Sequence, residues 1–335
     1  MVITAYENCF LCPRACGLNR NAGRIGYCGD TAELRISFAG IHRGEEPPIT
    51  GAGGSGTIFI SGCNLGCIFC QNYQISKEKI NGSRGIGRIV NTEEFAEICL
   101  MLQEKRSENI NIVTGSHAAP ALALGIEAAR KQGLHIPVLW NSSGYDGKET
   151  LAVLKDLIDV YLPDLKTLDS SFAARFFNAP NYPESASAAI LEMLESRKLK
   201  FAAGCDGVTQ TMVSGVMVRH LVIPGYTELT RQVLAWFSKN CRGRALLSLM
   251  TQYTPVKSGV SAIPDRFVSE DEYNAVLEML DEYGIDDGFC QELITGTDWL
   301  PDFTRQNPFS SELSVPVWTL ASAASGKENK SYKTH

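Results

Sequence analysis

Three cysteines of the sequence, Cys63, Cys67 and Cys70, have the type and spacing that chemistry at a metal centre requires. They form a C-x3-C-x2-C pattern, and no fourth cysteine follows nearby. Three such thiolates can hold three corners of a cubane iron–sulfur cluster, and Gly62 and Gly66 allow the loop to turn tightly. The remaining iron would stay open to an outside ligand, as a catalytic zinc ion keeps one position open. A zinc knuckle with a distant fourth ligand, or unconnected core cysteines, are the alternatives.

A second group of cysteines lies nearer the start of the chain in C-x2-C-x3-C-x11-C spacing: Cys9, Cys12, Cys16 and Cys28. Four thiolates suit either a tetrahedral zinc ion or an iron–sulfur cluster. The basic side chains among them would offset the thiolate charge; they are Arg14, Arg20 and Arg24. We expect a second metal centre here and slightly favour iron–sulfur, because the neighbouring site already needs that cofactor. Cysteines with a purely structural role are the alternative.

The 335 residues carry a formal net charge of −6; 44% of them are hydrophobic and 20% are charged. This is the composition of an ordinary globular protein, without the basic face that nucleic acid requires. No apolar stretch reaches the ~18 residues of a membrane span, and the first residues lack the layout of a signal peptide. We therefore expect a cytoplasmic protein with no nucleic-acid or membrane partner. Reducing compartments rarely keep disulfides, so the other cysteines are predicted to pack in the core; they are Cys99, Cys205, Cys241 and Cys290.

From about residue 56, short apolar runs alternate with longer amphipathic runs, which is typical of buried parallel strands joined by helices. Six β/α units favour a parallel sheet with right-handed crossovers, either open and doubly wound or curved into a barrel. The predicted strands are 57–61, 110–113, 136–140, 160–162, 216–223 and 245–250, with a possible edge strand at 288–293. The predicted organisation is a Cys-rich extension (1–50), a β/α core (51–300) and an extended, partly disordered tail (301–335).

Small or polar residues follow each of the six predicted strands. They are Gly62-Cys63, 114–117, 141–143, Asp164 with Lys166, 224–227 and 252–253. Because functional sites of parallel sheets and barrels form at the carboxyl ends of strands, these residues are expected to share one mouth. Asp164 and Lys166 are two positions apart, so on an extended strand end they face the same side. A structural ion pair is the alternative to a binding role for the two side chains. Earlier in the chain, Asn91 with Glu94 predicts a capped helix start.

The C-x3-C-x2-C run, with the aromatic Phe69 before its last cysteine, resembles the signature of the radical S-adenosylmethionine (SAM) superfamily. The resemblance implies a partial (β/α)6 barrel of the TIM type, which agrees with the six units. It implies a [4Fe–4S] cluster on Cys63, Cys67 and Cys70, with its open iron chelated by the amino and carboxylate groups of SAM. Reductive cleavage would then give methionine and a 5′-deoxyadenosyl radical that abstracts hydrogen from substrate. The protein supplies orientation and a dry cavity for that chemistry.

Further stretches between about Cys9 and Phe303 resemble the pyruvate formate-lyase activating enzyme-like branch of the superfamily; they are 9–17, 140–145, 163–166, 219–225 and 249–253. The resemblance implies that SAM is bound by residues after several strands: Thr114, Gly115, Ser116, Asn141, Ser143, Asp164, Lys166 and Arg219. The segment 114–116 lacks the acidic residue of the family's glycine-rich segment, and 141 and 143 could also serve as strand-end caps.

Arg219 and His220 are neighbours that point to opposite faces of their predicted strand. Arg219 is the one expected in the cavity, where its planar fork could hold the SAM carboxylate. His117 is expected to be an ordinary residue at a helix N-terminus.

Three functions are compatible with these residues. The favoured one is a SAM-cleaving radical oxidoreductase that acts on a protein, as activases of glycyl radical enzymes do when they abstract hydrogen from a backbone glycine. The first alternative is radical modification of a peptide or a small molecule. The second is an iron–sulfur electron-transfer or sensor protein that cleaves no SAM, although an electron carrier needs only a small fold. The expected partners are SAM, a reductant such as flavodoxin or ferredoxin, and a protein or peptide substrate.

Overall fold

The computed structural model describes residues 3–76, 85–256, 264–297 and 299–321. Its strands are β1 (Leu34–His42), β2 (Ser55–Ile60), β3 (Arg88–Val90), β4 (Ile110–Val113), β5 (Val138–Ser142), β6 (Val160–Pro163), β7 (Lys200–Ala203), β8 (Gln210–Leu221), β9 (Leu246–Met250), β10 (Gly288–Cys290) and β11 (Ser314–Trp318).

The described residues form nine helices, and from β4 to β10 helices join most pairs of successive strands. They are α1 (Pro47–Thr50), α2 (Tyr73–Ser76), α3 (Thr92–Glu104), α4 (Ala119–Lys131), α5 (Lys148–Leu154), α6 (Ser170–Phe177), α7 (Tyr182–Ser196), α8 (Thr227–Asn240) and α9 (Glu270–Glu282). Short 3-10 turns occupy Thr4–Tyr6 and Ser116–Ala118. None of the helices within these ranges combines the length and the apolar character that a membrane span requires.

Seven parallel strands form the centre of the sheet in the order β2-β4-β5-β6-β8-β9-β10. Each strand lies beside the next parallel strand of the chain, so the order of strands across the sheet never reverses as it does in a doubly wound sheet. Strands added in one direction in this way are typical of a barrel. Within the described ranges no strand pairing joins β10 to β11, so the sheet is open. The prediction of an α/β fold of partial-barrel type is thus confirmed.

Antiparallel strands complete the sheet outside the range predicted for the core. All nine residues of β1 are buried, and this strand pairs with β2, β3 and β11. The strand β11 lies in the segment that was expected to be an extended tail, whose residues from 322 onward are outside the described ranges. The structure thus places parts of both flanking segments, β1 and β11, in the same sheet as the core. The domain boundaries at 50 and 301 stay a prediction.

Burial on both faces explains why the parallel strands appear in the sequence as unbroken apolar runs. Every residue of β2 and of β6 is buried. Helices α3 and α4 pack closely against each other, because α4 carries Gly125 where a β-carbon would lie 2.4 Å from the ring of Phe95 in α3. Side chains of the sheet and of these two helices pack into the same hydrophobic core, as Ile58, Phe95 and Leu122 show.

The first testable prediction concerns the start of α3. The side chain of Asn91 accepts a hydrogen bond from the amide of Glu94 (2.8 Å), as the sequence predicted, whereas the carboxylate of Glu94 pairs with Arg88. Replacing a capping Asn by Ala leaves that amide without its partner, so Asn91→Ala should lower the free energy of unfolding by about 1 kcal/mol. Anaerobic urea denaturation measures the change. Asn91→Asp keeps the cap and is the control; an equal loss in both variants would contradict the capping role.

Candidate functional site

A cavity of about 730 Å³ opens at the carboxyl ends of the parallel strands. It is lined by residues from the ends of β2, β4, β5, β6, β8, β9 and β10, among them Cys63, Thr114, Asn141, Asp164, Arg219, Gln252 and Gln291. From β8 the lining residues are Arg219 and Leu221, which lie in the strand itself rather than in the polar segment 224–227. One cavity is thus lined by residues from the ends of all seven parallel strands, and its volume suits a ligand of the size of a small cofactor.

The loop between β2 and α2 brings Cys63, Cys67 and Cys70 to the wall of this cavity. Gly62 and Gly66 have φ values of +88° and +71°. These angles lie in the left-handed region, which glycine adopts without steric cost. The tight turns expected at the two glycines are therefore present, and all three cysteines reach the wall of the cavity.

Packing and hydrogen bonds hold the loop in place. The ring of Phe69, which is 4% exposed, lies among the rings of Phe176, Phe177 and Tyr253. The amide of Ile68 donates to the carbonyl of Phe176 (3.1 Å), and the side chain of Gln71 donates to the carbonyl of Gln252 (2.8 Å). The loop is thus anchored to α6 and to the segment after β9, which keeps the thiols at fixed positions.

The family follows from a comparison of the sequence with family profiles. The profile of the radical SAM superfamily matches residues 57–234, which include the cysteine loop and five of the parallel strands. This chain belongs to the radical SAM superfamily. The family implies a [4Fe–4S] cluster and SAM as its cofactors.

Similar proteins include an uncharacterized protein of Methanocaldococcus jannaschii, 30% identical over 287 residues that cover 84% of this chain and 76% of that protein. Among solved structures, Streptococcus suis SuiB bound to S-adenosylmethionine is 13% identical (68% of this chain and 48% of that one, TM-score 0.47). Methylornithine synthase (PylB) is 14% identical (76% and 78%, TM-score 0.45). A domain of pyruvate-formate lyase-activating enzyme from Bacteroides vulgatus is 18% identical (51% and 89%, TM-score 0.36). The chain spans about half the length of SuiB.

The three thiols of the radical SAM loop suit the cluster that the family implies. Burial raises the pKa of the Cys67 thiol and raises that of Cys70 to about 11. A thiolate at such a place is stable only beside positive charge, which iron supplies on ligation. The loop offers three thiols at the wall of one cavity, the number of protein ligands that leaves one iron of a [4Fe–4S] cluster open, so the donor set fits a cluster.

The segment after β4 reaches the cavity with only one of its three predicted residues. Thr114 lines the cavity and has a φ of +63°, an unusual angle for a residue with a β-carbon. Gly115 lies behind it, where a β-carbon would be 2.6 Å from the ring of Trp140. Ser116 is buried, and its carbonyl accepts a hydrogen bond from Thr150. The placement of Gly115 and Ser116, which do not line the cavity, therefore argues against direct contact of either residue with SAM.

Asn141, Ser143, Asp164 and Lys166 all line the cavity. The ammonium of Lys166 lies 2.5 Å from the carboxylate of Asp164, so the structure shows the ion pair that was the alternative to a binding role. Burial alone would lower the pKa of Lys166, but Asp164 and Cys67 outweigh burial and raise it. The lysine is thus a cation beside the thiol of Cys67, on the wall of the cavity formed by the loop that carries Cys63, Cys67 and Cys70.

Tyr182 positions these strand ends and was missed by the sequence analysis. Its hydroxyl lies 2.9 Å from the carbonyls of Ser143 and of Asp164, and it accepts a hydrogen bond from the amide of Lys166 (3.0 Å). The ring is fully buried at the start of α7. A tyrosine in an amphipathic helix carries no local signal of such a role. Its hydroxyl finds these partners only when α7 packs behind β5 and β6.

Arg219 lines the cavity, but its guanidinium is engaged by two carboxylates. Its Nη2 lies 2.5 Å from Glu45 and 2.5 Å from Glu46, both outside the predicted site. Burial alone would raise the pKa of Glu45, but Arg219 and His42 lower it below its ordinary value. His220 faces the other side of β8, where its ring nitrogens contact the Leu165 carbonyl (2.7 Å) and the Thr230 hydroxyl (3.0 Å). This ion-pair network competes with the predicted contact between Arg219 and the SAM carboxylate.

Two cysteines that were predicted to pack in the core lie elsewhere: Cys205 is only half-buried in the turn between β7 and β8, and Cys290 reaches the cavity. Cys290 lines the cavity at the end of β10. Its position follows from the parallel pairing of β10 with β9, which the sequence indicated only as a possible edge strand. His117 is buried in the 3-10 turn after β4, and its Nε2 lies 2.8 Å from the carbonyl of Ser61. The contact of His117 with Ser61 therefore stabilises the start of the loop that carries Cys63, Cys67 and Cys70.

The second prediction tests the ion pairs of Arg219. Removing one partner of a buried ion pair leaves an uncompensated charge, so Arg219→Met should lower the free energy of unfolding at neutral pH by about 3–5 kcal/mol. The pKa of Glu45 is lowered in the native protein and would be raised by burial in the variant. Lowering the pH protonates Glu45 in the variant first, so the difference between the two proteins should shrink as the pH falls through these two pKa values.

Urea denaturation measures the difference in the free energy of unfolding between the two proteins. It is carried out between about pH 4 and pH 8, which covers the range in which folded proteins are most stable. The matched control is Arg219→Met combined with Glu45→Gln, in which this part of the pH dependence should be absent. A difference that stays constant over the range would contradict the pairing with Glu45.

Proposed function

We propose that this radical SAM protein cleaves SAM at a [4Fe–4S] cluster held by Cys63, Cys67 and Cys70. The observation that carries the proposal is the shared cavity, in which the three thiols face Asn141 and the Asp164–Lys166 pair. When bound, the cluster and SAM supply a one-electron cleavage that yields methionine and a 5′-deoxyadenosyl radical able to abstract hydrogen from a substrate.

The residues of the chain would bind, orient and shield this chemistry. The carboxylate of Asp164 can accept hydrogen bonds from the amino group of SAM, while the cation of Lys166 offsets the charge of the thiolates. The amide of Asn141 and the hydroxyl of Ser143, which has no hydrogen-bond partner among the described residues, can bind the ribose or the carboxylate. Leu65 and Phe69 are buried beside the thiols and would keep water from the reacting centre.

We further propose that the substrate is a protein and that the reaction is hydrogen abstraction from a backbone glycine. The support is the resemblance of five sequence stretches to the activating enzyme-like branch. Radical modification of a peptide or small molecule is the second candidate, and the cavity volume of about 730 Å³ accommodates either a short chain segment or a small molecule beside SAM.

The electron for SAM cleavage would come from flavodoxin or ferredoxin in the cytoplasm. None of the eleven cysteines forms a disulfide, although most of them are buried or half-buried near others. Reduced cysteines are typical of a compartment in which glutathione and thioredoxin act. They are also the form that iron ligation needs.

The third prediction tests the SAM-cleaving cluster. Anaerobically reconstituted and dithionite-reduced protein should convert SAM to 5′-deoxyadenosine, and Cys67→Ala should reduce the product to the uncatalysed background. The reason is that two thiolates cannot hold the cluster with one iron open to SAM. Chromatography of the nucleoside products provides the measurement.

Cys205→Ala is the control for the loss of a cysteine, since Cys205 lies in the turn between β7 and β8, far in sequence from the loop. It should keep the wild-type rate. Product at the wild-type level in Cys67→Ala would overturn the cluster assignment. A wild-type protein that binds iron but forms no product would favour the electron-transfer or sensor alternative.

The fourth prediction concerns the substrate. Reduced protein with SAM should generate the doublet EPR signal of a glycyl radical in a glycyl radical enzyme such as pyruvate formate-lyase, with one 5′-deoxyadenosine formed per radical. The Cys67→Ala variant should give neither signal nor product. If 5′-deoxyadenosine forms while the doublet is absent over a panel of glycyl radical enzymes, the activase hypothesis fails and SAM cleavage stands; a peptide or small-molecule substrate is then the remaining candidate.

A further inference from the structure

We propose that Cys9, Cys12, Cys16 and Cys28 bind a second iron–sulfur cluster, and that this cluster passes single electrons to the SAM-binding one. The four residues are called the N-terminal quartet below. The existence of the second cluster depends only on the quartet and its surroundings. The electron-transfer role rests in addition on the proposed function of the Cys63 loop, so the two parts are tested separately.

The quartet is gathered in space although its members are spread over twenty residues of chain. The sulfurs of Cys16 and Cys28 lie 3.9 and 3.3 Å from the position of a β-carbon on Gly26. The sulfur of Cys9 lies 3.7 Å from the guanidinium of Arg20, inside the same segment. The members of the quartet are thus close enough in space to act as ligands of one centre.

Arg20 provides the second observation. Its guanidinium, only 2% exposed, lies 3.7 Å from the sulfur of Cys9 and over the ring of Tyr6 (4.4 Å). Its other hydrogen bonds go to the backbone carbonyls of Thr31 and His117, and no carboxylate of the described residues pairs with it. A buried cation requires compensating negative charge. Thiolates of a metal centre supply that charge, which gives a reason for an arginine at this place.

The neighbouring loop favours iron–sulfur over zinc for the quartet. Four thiolates suit either a tetrahedral zinc ion or an iron–sulfur cluster. The loop that carries Cys63, Cys67 and Cys70 is hydrogen-bonded to the quartet and is itself proposed to hold a [4Fe–4S] cluster, so the same cofactor is needed next to it.

The quartet is in direct contact with the radical SAM loop. The amide of Cys63 donates a hydrogen bond to the carbonyl of Cys28 (3.1 Å), so a ligand of each proposed cluster is joined to a ligand of the other. Gly62 permits this approach, because a β-carbon there would lie 2.9 Å from the same carbonyl and 2.2 Å from Asp30. Arg14 adds a clamp by donating to the carbonyls of Asn64 and Leu65, both at 2.9 Å.

This contact would provide the route of electron transfer. A one-electron donor of the flavodoxin or ferredoxin class would lose one electron to a cluster held by the quartet, and the Cys28 carbonyl and the Cys63 amide would link that cluster to the one held by Cys63, Cys67 and Cys70. The transfer would form and break no bond and would need no proton. Cys12 and Cys16 are partly exposed, which leaves the quartet accessible to such a donor.

The first experiment tests the site itself. The triple variant Cys63→Ala, Cys67→Ala and Cys70→Ala, purified and reconstituted anaerobically, should still contain about four irons per chain and matching sulfide. The wild type should contain about twice that amount, and Cys12→Ser with Cys16→Ser about half of the wild-type amount. These variants remove the partly exposed members of the quartet, and circular dichroism checks that they fold.

About one zinc per chain, or no metal, in a folded triple variant would overturn the second cluster. If the triple variant does not fold, the iron content of wild type against the Cys12 and Cys16 double variant decides, because equal amounts in the two proteins would also overturn it. The removal of Cys205, which belongs to neither group, should leave the iron content unchanged.

The second experiment tests the electron-transfer role with a readout independent of product. Stopped-flow absorbance and freeze-quench EPR follow reduction of the SAM-binding cluster by reduced flavodoxin. In the Cys12 and Cys16 double variant the rate of reduction of the SAM-binding cluster should fall by at least about ten-fold, because electrons can no longer pass through the second cluster. Cys205→Ser should keep the wild-type rate. A second cluster that is present by iron analysis, together with an unchanged reduction rate in the double variant, would overturn the electron-transfer role.

Discussion

The in-order winding of seven parallel strands is the constraint on which the site depends. Every strand of this set leaves the sheet at the same edge, and backbone hydrogen bonds carry the register beyond the strands. The amide of Asp164 donates to the carbonyl of Ser142 (2.9 Å), and the amide of Leu165 donates to the carbonyl of Arg219 (2.8 Å). Side chains that follow different strands are therefore held at one level, which is why one cavity collects so many of the polar residues.

Compensation of buried charge is the second theme of the structure. Arg219 with Glu45 and Glu46, and Lys166 with Asp164, are ion pairs at the wall of the cavity. Arg20 has thiols in place of carboxylates as its neighbours. Charges in a low-dielectric interior are tolerated only when they are paired. Each cysteine group thus has a buried cation beside it, Lys166 next to Cys67 and Arg20 next to Cys9. A backbone hydrogen bond between Cys63 and Cys28 joins the two groups.

The sequence predicted the parallel strands because burial on both faces leaves continuous apolar runs, and β4 occupies the expected residues. The antiparallel strands β7 and β11 were not predicted. All four residues of β7 are exposed although three of them are apolar, so this strand lacks the alternation of apolar and polar residues that marks a half-buried strand. The strand β11 contains a proline and pairs with β1, more than 270 residues earlier in the chain. Pairing over such a separation depends on the assembled sheet and leaves no local signal.

The spacing of Cys63, Cys67 and Cys70 determined the family by itself, because residues of one short loop can act together wherever that loop lies. The strand ends at Asn141, Asp164 and Lys166 could also be predicted, since parallel winding sends them to one edge. Only the tertiary structure decided which partners these side chains have. It turned Ser116 inward, brought Cys290 to the cavity and gave Arg219 a carboxylate 174 residues away. The physical reason is that charge pairing and packing depend on distance in space, which separation along the chain does not reveal.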